Sequence, residues 1–234
     1  MKKALILIAL LCLCLSLPVA AQEQKQEPQH KLVQFEMVLL KFGPNPLPQD
    51  LQTSPLHQEH MAFVQSLLSS GKMIIGGPIT GDPKIAAVGI FNTNSADEVR
   101  QWLTDDPLIK AGYFTPEVHP WWAEDVMKRN VKSDKMTTAY LAFLVRGEKW
   151  TPDKTPETEA LQKAHLANIG RLAELKKLVV AGPFGDDGTL RGIFVFRVAS
   201  LDEARALAAT DPAVKAGRLA LQIYPWIVPD GILP

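Results

Sequence analysis

The sequence predicts an α+β chain made of two copies of one β-α-β-β-α-β unit, and three observations carry that prediction. The first is a duplication: His60 and His165 sit in matching surroundings, offset by 105 positions. At the same offset Gly77-Pro78 recurs as Gly182-Pro183, Asp106-Pro107 as Asp211-Pro212 and Pro120-Trp121 as Pro225-Trp226. From His60 to Trp121, 19 of 62 residues are identical to their partners, far more than chance allows. The second observation is alternation of apolar and polar residues in short runs, the period of half-buried strands. The third is a set of helix-start signals that recurs in both copies. A repeat of about 100 residues is an ordinary domain size.

In the first copy, Val33-Gln34-Phe35-Glu36-Met37 alternates and continues into Val38-Leu39-Leu40 as a strand. Ser54 before Pro55 reads as an N-cap with proline at the first helical position, opening a helix that runs to about Gly71. Met73-Ile74-Ile75 and the run from Ile85 to Phe91 are the next two strands, turned through Gly76-Gly77-Pro78. Ser95-x-x-Glu98 is a capping box opening a second helix, and Tyr113 to Trp121 form the closing strand.

The second copy repeats the plan. Its strands are Ala139 to Val145, Leu178 to Ala181, Leu190 to Val198 and Leu219 to Trp226. Its helices start at Thr155-Pro156 and at Ser200-x-x-Glu203. The first helix starts only 101 positions after its counterpart (Pro55 to Pro156), so the second copy carries about one extra turn before its histidine. This element order is ferredoxin-like. Each such unit covers one sheet face with helices and leaves the other in need of a partner, so the two copies are expected to form an internal pseudo-dimer.

The N-terminus reads as a processing segment. Lys2 and Lys3 precede a nearly unbroken apolar run from Ala4 to Leu17, and Val19-Ala20-Ala21 offers small residues for cleavage before Gln22. The run is short for a spanning helix. The expected organisation is a signal peptide over 1–21, a polar tether over 22–31, repeat 1 over 32–122, a solvated linker over 123–136 and repeat 2 over 137–234. The expected location is periplasmic or secreted, with no stable membrane association after cleavage. Both cysteines, Cys12 and Cys14, fall in the signal segment, so the mature chain lacks disulfides, thiolate nucleophiles and cysteine metal ligands. Without Lys2 and Lys3 the chain has 23 basic and 25 acidic residues, a formal charge of −2. No basic stripe with interleaved aromatics suggests nucleic acid. No cluster has metal-ligand spacing, and no glycine-rich phosphate loop follows a strand.

Both histidines fall on the apolar stripe of a helix, His165 with Leu161, Ile169 and Leu172, and His60 with Leu56, Val64 and Leu67. Such a ring points toward the sheet. Held by a carboxylate, it is poised as a general base; the other reading is a core histidine satisfied by one hydrogen bond. Asp106 and Asp211, each before a proline, are expected to cap short helices, and capping with one oxygen leaves the other for a histidine. Gly77-Pro78 and Gly182-Pro183 read as turn formers, or as glycines that admit a ligand to the backbone. Trp121, Trp122 and Trp226 are expected to seal the junction between repeats. His119 is matched by Tyr224 and is therefore set apart from the repeated constellation.

Taken together, His165-Leu166-Ala167, Ala181-Gly182-Pro183, Ser200-Leu201-Asp202-Glu203-Ala204 and the run Asp211 to Gly217 resemble the YciI-like (YCII-related) family. The first copy matches less fully, through His60, Gly77-Pro78, Asp97-Glu98, Asp106-Pro107 and Pro120-Trp121. The resemblance implies a dimeric α/β barrel with a site built on a histidine and an aspartate. These map onto His165 with Asp211 and onto His60 with Asp106. Many members carry an arginine shortly before the histidine, where this chain has His57 and Lys163. Most are intracellular and single-domain, so an exported tandem form implies a different substrate. The expected function is a small-molecule enzyme of lyase, isomerase or dehalogenase-like type, using His–Asp acid/base chemistry with no cofactor and no metal. The alternative is a non-catalytic binding or interaction module; a cofactor-independent monooxygenase is a third reading. Expected partners are a small-molecule ligand and the internal pseudo-dimer, with a further homo-oligomer left open.

Overall fold

A computed structural model describes residues 31–129, 131, 133 and 135–234. Residues 1–30, where a signal peptide and most of a tether are expected, and the linker positions Asn130, Lys132 and Asp134 lie outside the described residues. Repeat 1 runs β1 (Leu32–Phe42), a 3-10 turn (Leu51–Thr53), α1 (Pro55–Ser69), β2 (Met73–Pro78), β3 (Ile85–Phe91), α2 (Ala96–Leu103), α3 (Pro107–Lys110) and β4 (Phe114–Glu124). Repeat 2 runs β5 (Met136–Arg146), α4 (Pro156–Glu174), β6 (Leu178–Pro183), β7 (Leu190–Phe196), α5 (Leu201–Ala208), α6 (Pro212–Lys215) and β8 (Leu219–Pro229). The first strand of each repeat is longer than its apolar run because the ladder to the closing strand continues beyond it, from Leu32 opposite Glu124 to Phe42 opposite Phe114.

Each repeat is a four-stranded antiparallel sheet, ordered β2-β3-β1-β4 and β6-β7-β5-β8. The two sheets meet edge to edge at both ends. Bridges join Ile79 to Trp226 and Trp121 to Phe184, and the Thr80 and Gly185 amides donate to the carbonyls of Pro225 and Pro120 (3.1 and 2.8 Å). The strands thus close into one pseudo-dimeric α/β barrel. Strand alternation divides the apolar residues between two faces. Phe35, Met37 and Leu39 of β1 point inward with Leu141 and Phe143 of β5, in one core shared by both repeats. Val38 and Phe91 face α1 and α2, while Leu144 and Phe194 face α4 and α5.

The helix starts follow the sequence with one correction. Ser95 and Ser200 accept from the N–H groups of Glu98 and Glu203 (3.3 and 3.1 Å), but the glutamates do not return the bond to the cap residue. Glu98 accepts from the Thr93 hydroxyl (2.6 Å) and Glu203 from the Ala199 amide (3.0 Å). The complete capping box is at α4, where Thr155 and Thr158 exchange bonds. Helix α4 has 19 residues against 15 in α1, the extra turn implied by the offset.

The linker is not wholly solvated, a correction to the sequence reading. Met127 is 2% exposed, Val131 packs on the shared core, and the Lys128 amide donates to the Ile232 carbonyl (2.9 Å). Charge dominates the segment's composition, yet Met127 and Val131 are enough to dock it.

The Gly-Pro pairs owe their glycines to the barrel closure rather than to a turn. A Cβ on Gly77 would lie 1.9 Å from the Ile227 carbonyl oxygen, and one on Gly182 would lie 1.8 Å from that of Trp122. Only a glycine lets the opposite repeat's backbone come this close. The Trp226 and Trp121 indole N–H groups donate to the carbonyls of Gly77 and Gly182 (3.2 and 3.1 Å), and both rings are fully buried. These two tryptophans lie at the junction between repeats, where the sequence reading puts them. Trp122 is 39% exposed, yet it too meets the other repeat, with its carbonyl against Gly182 and its indole nitrogen against Gly185.

Candidate active site

Helix α4 carries His165 on the face that packs over its sheet, and the short helix α6 brings Asp211 beneath it. Asp211 Oδ1 accepts from the amides of Ala213 and Val214 (2.9 and 3.4 Å), the capping expected of an aspartate before proline. Its Oδ2 lies 2.8 Å from His165 Nδ1. The two oxygens are thus divided between capping and the histidine. The Asp211 side chain is fully buried and that of His165 is 13% exposed. The imidazole stacks on Phe194, with ring centroids 5.8 Å apart and planes at 20°.

Repeat 1 has the same arrangement. Asp106 Oδ1 accepts from the amides of Leu108 and Ile109 (2.8 and 3.4 Å), and His60 Nδ1 lies 3.0 and 2.9 Å from the two carboxylate oxygens. The structure therefore brings together each histidine with the aspartate named for it. In each pair a carboxylate engages Nδ1, which fixes the proton there in the neutral ring and leaves Nε2 as the basic nitrogen.

Each histidine borders a cavity between the helix layer and the outer sheet face. The repeat-2 cavity, about 270 Å³, is lined by His165, Leu161, Ile169 and Phe194, with Arg191 and Arg218 at its polar side. The repeat-1 cavity is larger, about 780 Å³, and its lining is apolar apart from His57, His60, Asp106 and a few glutamines. The repeats exchange edges here: Leu32 of β1 reaches the repeat-2 cavity, and Met136 of β5 reaches the repeat-1 cavity. Gly77-Pro78 and Gly182-Pro183 wall these spaces, but the volume a Cβ would take is filled by the other repeat's backbone. The glycines therefore serve closure, not admission of a ligand.

Sequence reasoning missed three features. The first surrounds Asp211: Asn168 Nδ2 donates to Oδ2 (3.3 Å), while Arg171 and the Thr210 hydroxyl donate to Asn168 Oδ1 (2.7 and 3.1 Å). The equivalent positions in repeat 1 are Phe63, Ser66 and Asp105, so only the second aspartate has this support. The second is the pair of cavity arginines. Lys163, at the basic position of the family, is exposed, and positive charge enters instead from Arg191 in β7 and from Arg218 immediately before β8.

The third is His119, which does belong to a repeated arrangement. His119 Nδ1 lies 2.6 Å from Asp186 Oδ2 in the other repeat, and Nε2 lies 2.9 Å from Glu117 Oε1. Tyr224, its counterpart, hydrogen-bonds Asp82 in the β2–β3 turn. Burial and this bond push the Tyr224 phenol up to about 12. Partial burial opposes the Asp82 charge but is outweighed by hydrogen bonds from Tyr224 and from the Lys84 and Ile85 amides, which lower its pKa. Both ties cross between repeats. With each ring nitrogen engaged by a carboxylate, His119 acts as a clasp. Glu36, 1% exposed with Oε2 unpartnered, has its pKa raised by burial, which outweighs the hydrogen bond from Gln34.

Comparison with known proteins agrees with this fold. The chain resembles the uncharacterized protein YjpA of Bacillus subtilis (strain 168), 34% identical over 76 residues that span 31% of this chain and 87% of that protein. Among solved structures it is similar in fold to a mutant chlorite dismutase from Candidatus Nitrospira defluvii. That match has a TM-score of 0.53 and 12% identity, over 85% of this chain and 92% of the other. A heme-binding protein from Thermus thermophilus gives a TM-score of 0.51 at 13% identity, over 85% and 92% of the two chains. The model of the YCII-related domain matches twice, over residues 35–121 and 142–227. One match in each half of the barrel makes this chain a tandem member of the YCII-related domain family.

Proposed function

We propose that the chain is a small-molecule enzyme in which His165, oriented by Asp211, moves a proton at a substrate carbon without a cofactor. The carrying observation is the 2.8 Å contact of Nδ1 with a buried carboxylate on a ring that borders a cavity. A base of this kind serves lyase, isomerase and dehalogenase-like reactions. Repeat 2 is the stronger candidate because its aspartate has the additional support of Asn168 and Arg171. Heme binding stays with the Thermus protein, since 13% identity is a likeness of fold.

Proton abstraction is observable before the natural substrate is known. Small carbonyl compounds incubated with the protein in D2O should lose their α-proton signals in ¹H NMR. His165→Ala should slow this exchange by about 10²–10⁴-fold while the melting temperature changes by only a few degrees. Unchanged exchange in that variant, or a large fall in melting temperature with no exchange to lose, would make His165 a core residue instead. The repeat-1 cavity favours a second reading, a binding module without turnover, because it is large and mostly apolar. Thermal shifts with apolar ligands and no product would support that reading.

The basic and apolar N-terminal segment supports export, with cleavage before Gln22. N-terminal sequencing of the protein from periplasm or medium should begin near Gln22. A cytoplasmic chain beginning at Met1 or Lys2 would contradict it.

A further inference from the structure

Beside the repeat-2 cavity, three guanidinium groups surround one indole. The carbons at the centres of Arg218, Arg191 and Arg146 lie 4.5, 4.9 and 5.6 Å from the centroid of the Trp150 ring. Stacking on the ring face offsets part of the cost of bringing three cations together. Among the described residues, no carboxylate lies within 4.0 Å of any of the three. Their hydrogen bonds go to neutral oxygens. Arg146 donates to the Asp187 carbonyl (2.6 Å), and Arg191 to the carbonyls of Asp186 and Gly188 (3.2 and 3.5 Å). Arg218 donates to the hydroxyl and carbonyl of Thr151 (3.3 and 2.8 Å). These bonds fix the arginines in place, exposed at Arg146 and half-buried at Arg191 and Arg218, without pairing them to a carboxylate.

The cluster belongs to one repeat alone. Phe42 ends its strand opposite Phe114 as Arg146 does opposite Leu219. At the 105-residue offset, Arg191 corresponds to Ala86 and Arg218 to Tyr113. Every cation of the cluster is therefore replaced by an uncharged side chain in repeat 1, whose cavity has no lysine or arginine among the described residues that line it. Arg191, Arg218 and Trp150 border the same cavity as His165, together with Leu161, Ile169 and Phe194. A charged end and an apolar end thus share a space of about 270 Å³.

We propose that the repeat-2 cavity binds a compact organic acid, its carboxylate held by Arg191 and Arg218 and its apolar body set against Leu161 and Phe194 beneath His165. The repeat-1 cavity, lacking the cations, does not share this preference. The assignment rests on the reading of the repeat-2 cavity as the reacting site, and it names the substrate class for that site. Planar guanidinium groups suit a carboxylate because two N–H groups can meet its two oxygens. Positive charge with no carboxylate in reach favours an anion, which supplies a counter-charge to the cluster.

Calorimetric titration of the full mature chain with benzoate, cyclohexanecarboxylate and hexanoate tests the assignment, with benzyl alcohol as the neutral comparison. At least one acid should bind at least 10-fold more tightly than benzyl alcohol, and its affinity should fall as salt rises. Arg191→Gln and Arg218→Gln should each weaken it by 10-fold or more. Arg191→Lys, which keeps the charge, should weaken it less and so guards against a folding defect. His165→Ala should retain acid binding within about 3-fold, so that loss of proton transfer and loss of anion recognition are read separately. Acid binding without any proton exchange would remove the general-base reading and leave the anion site standing. Failure of all three acids to bind below 10 mM, equal binding of benzyl alcohol, indifference to the glutamine substitutions, or inorganic phosphate binding as tightly as the acids would each overturn the proposal.

Discussion

Gly182→Ala should destabilise the protein by about 2–6 kcal/mol, as read from urea unfolding. The added methyl would sit 1.8 Å from the Trp122 carbonyl oxygen and 2.9 Å from its carbon. Neither atom belongs to a flexible side chain, so the strands themselves must part. Overpacking of this kind costs about 1–3 kcal/mol. Separation also weakens the bond from the Trp121 indole to the Gly182 carbonyl and that from the Gly185 amide to Pro120. A buried polar group left without its partner adds roughly 1–3 kcal/mol. Gly77→Ala should behave alike, because its methyl would lie 1.9 Å from the Ile227 carbonyl oxygen. Gly170→Ala provides the contrast. It lies within α4 with open space around it, so alanine there should stabilise by about 0.5–1 kcal/mol. A loss below about 1 kcal/mol for Gly182→Ala would mean that the repeats are not held together at this point.

This closure shows what the sequence could and could not reveal. Element order, the repeat and the extra turn of α4 are local or periodic properties and were legible. The reason for the Gly-Pro pairs was not, because the atoms that demand glycine belong to Trp122 and Ile227 on the other repeat. No local pattern records such an approach. The same holds for His119, whose partner Asp186 lies across the barrel and whose counterpart Tyr224 keeps the contact while changing the chemistry. The histidine–aspartate pairs were legible because helix phase and the Asp-Pro capping signal survive in both copies. The Arg–Trp cluster escaped for the opposite reason. It lies at positions where the copies differ, and a search for identities passes over them. Comparing Ala86 with Arg191 and Tyr113 with Arg218 for their differences is the signal that would have found it.

The second large effect is expected at Asp211. Asp211→Ala removes the acceptor of two capping amides and of Asn168, and the partner of His165, from a fully buried position. A lost cap costs about 1 kcal/mol, and buried donors left unpaired add about 1–3 kcal/mol. A total near 3 kcal/mol is expected in unfolding experiments. Asp211→Asn separates structure from chemistry. Its oxygen can continue to cap α6, so the capping share of the stability should remain, while the Asn168 amide loses its acceptor at a cost of about 1–3 kcal/mol. Its amide then replaces Oδ2 and presents a donor to His165 Nδ1. The ring must accept there, its proton moves to Nε2, and the nitrogen facing the cavity ceases to be a base. Proton exchange should fall by about 10²–10⁴-fold, with a smaller loss of stability than in Asp211→Ala because the cap is kept.

The position of that proton tests the central claim most directly. Long-range ¹H–¹⁵N correlation spectra of the imidazole rings distinguish the two neutral tautomers, with the His165 signals assigned by their absence in His165→Gln. In the wild-type protein the neutral His165 ring should carry its proton on Nδ1 and leave Nε2 bare, and Asp211→Asn should reverse the pattern. A wild-type ring protonated on Nε2, unchanged by Asp211→Asn, would contradict the account.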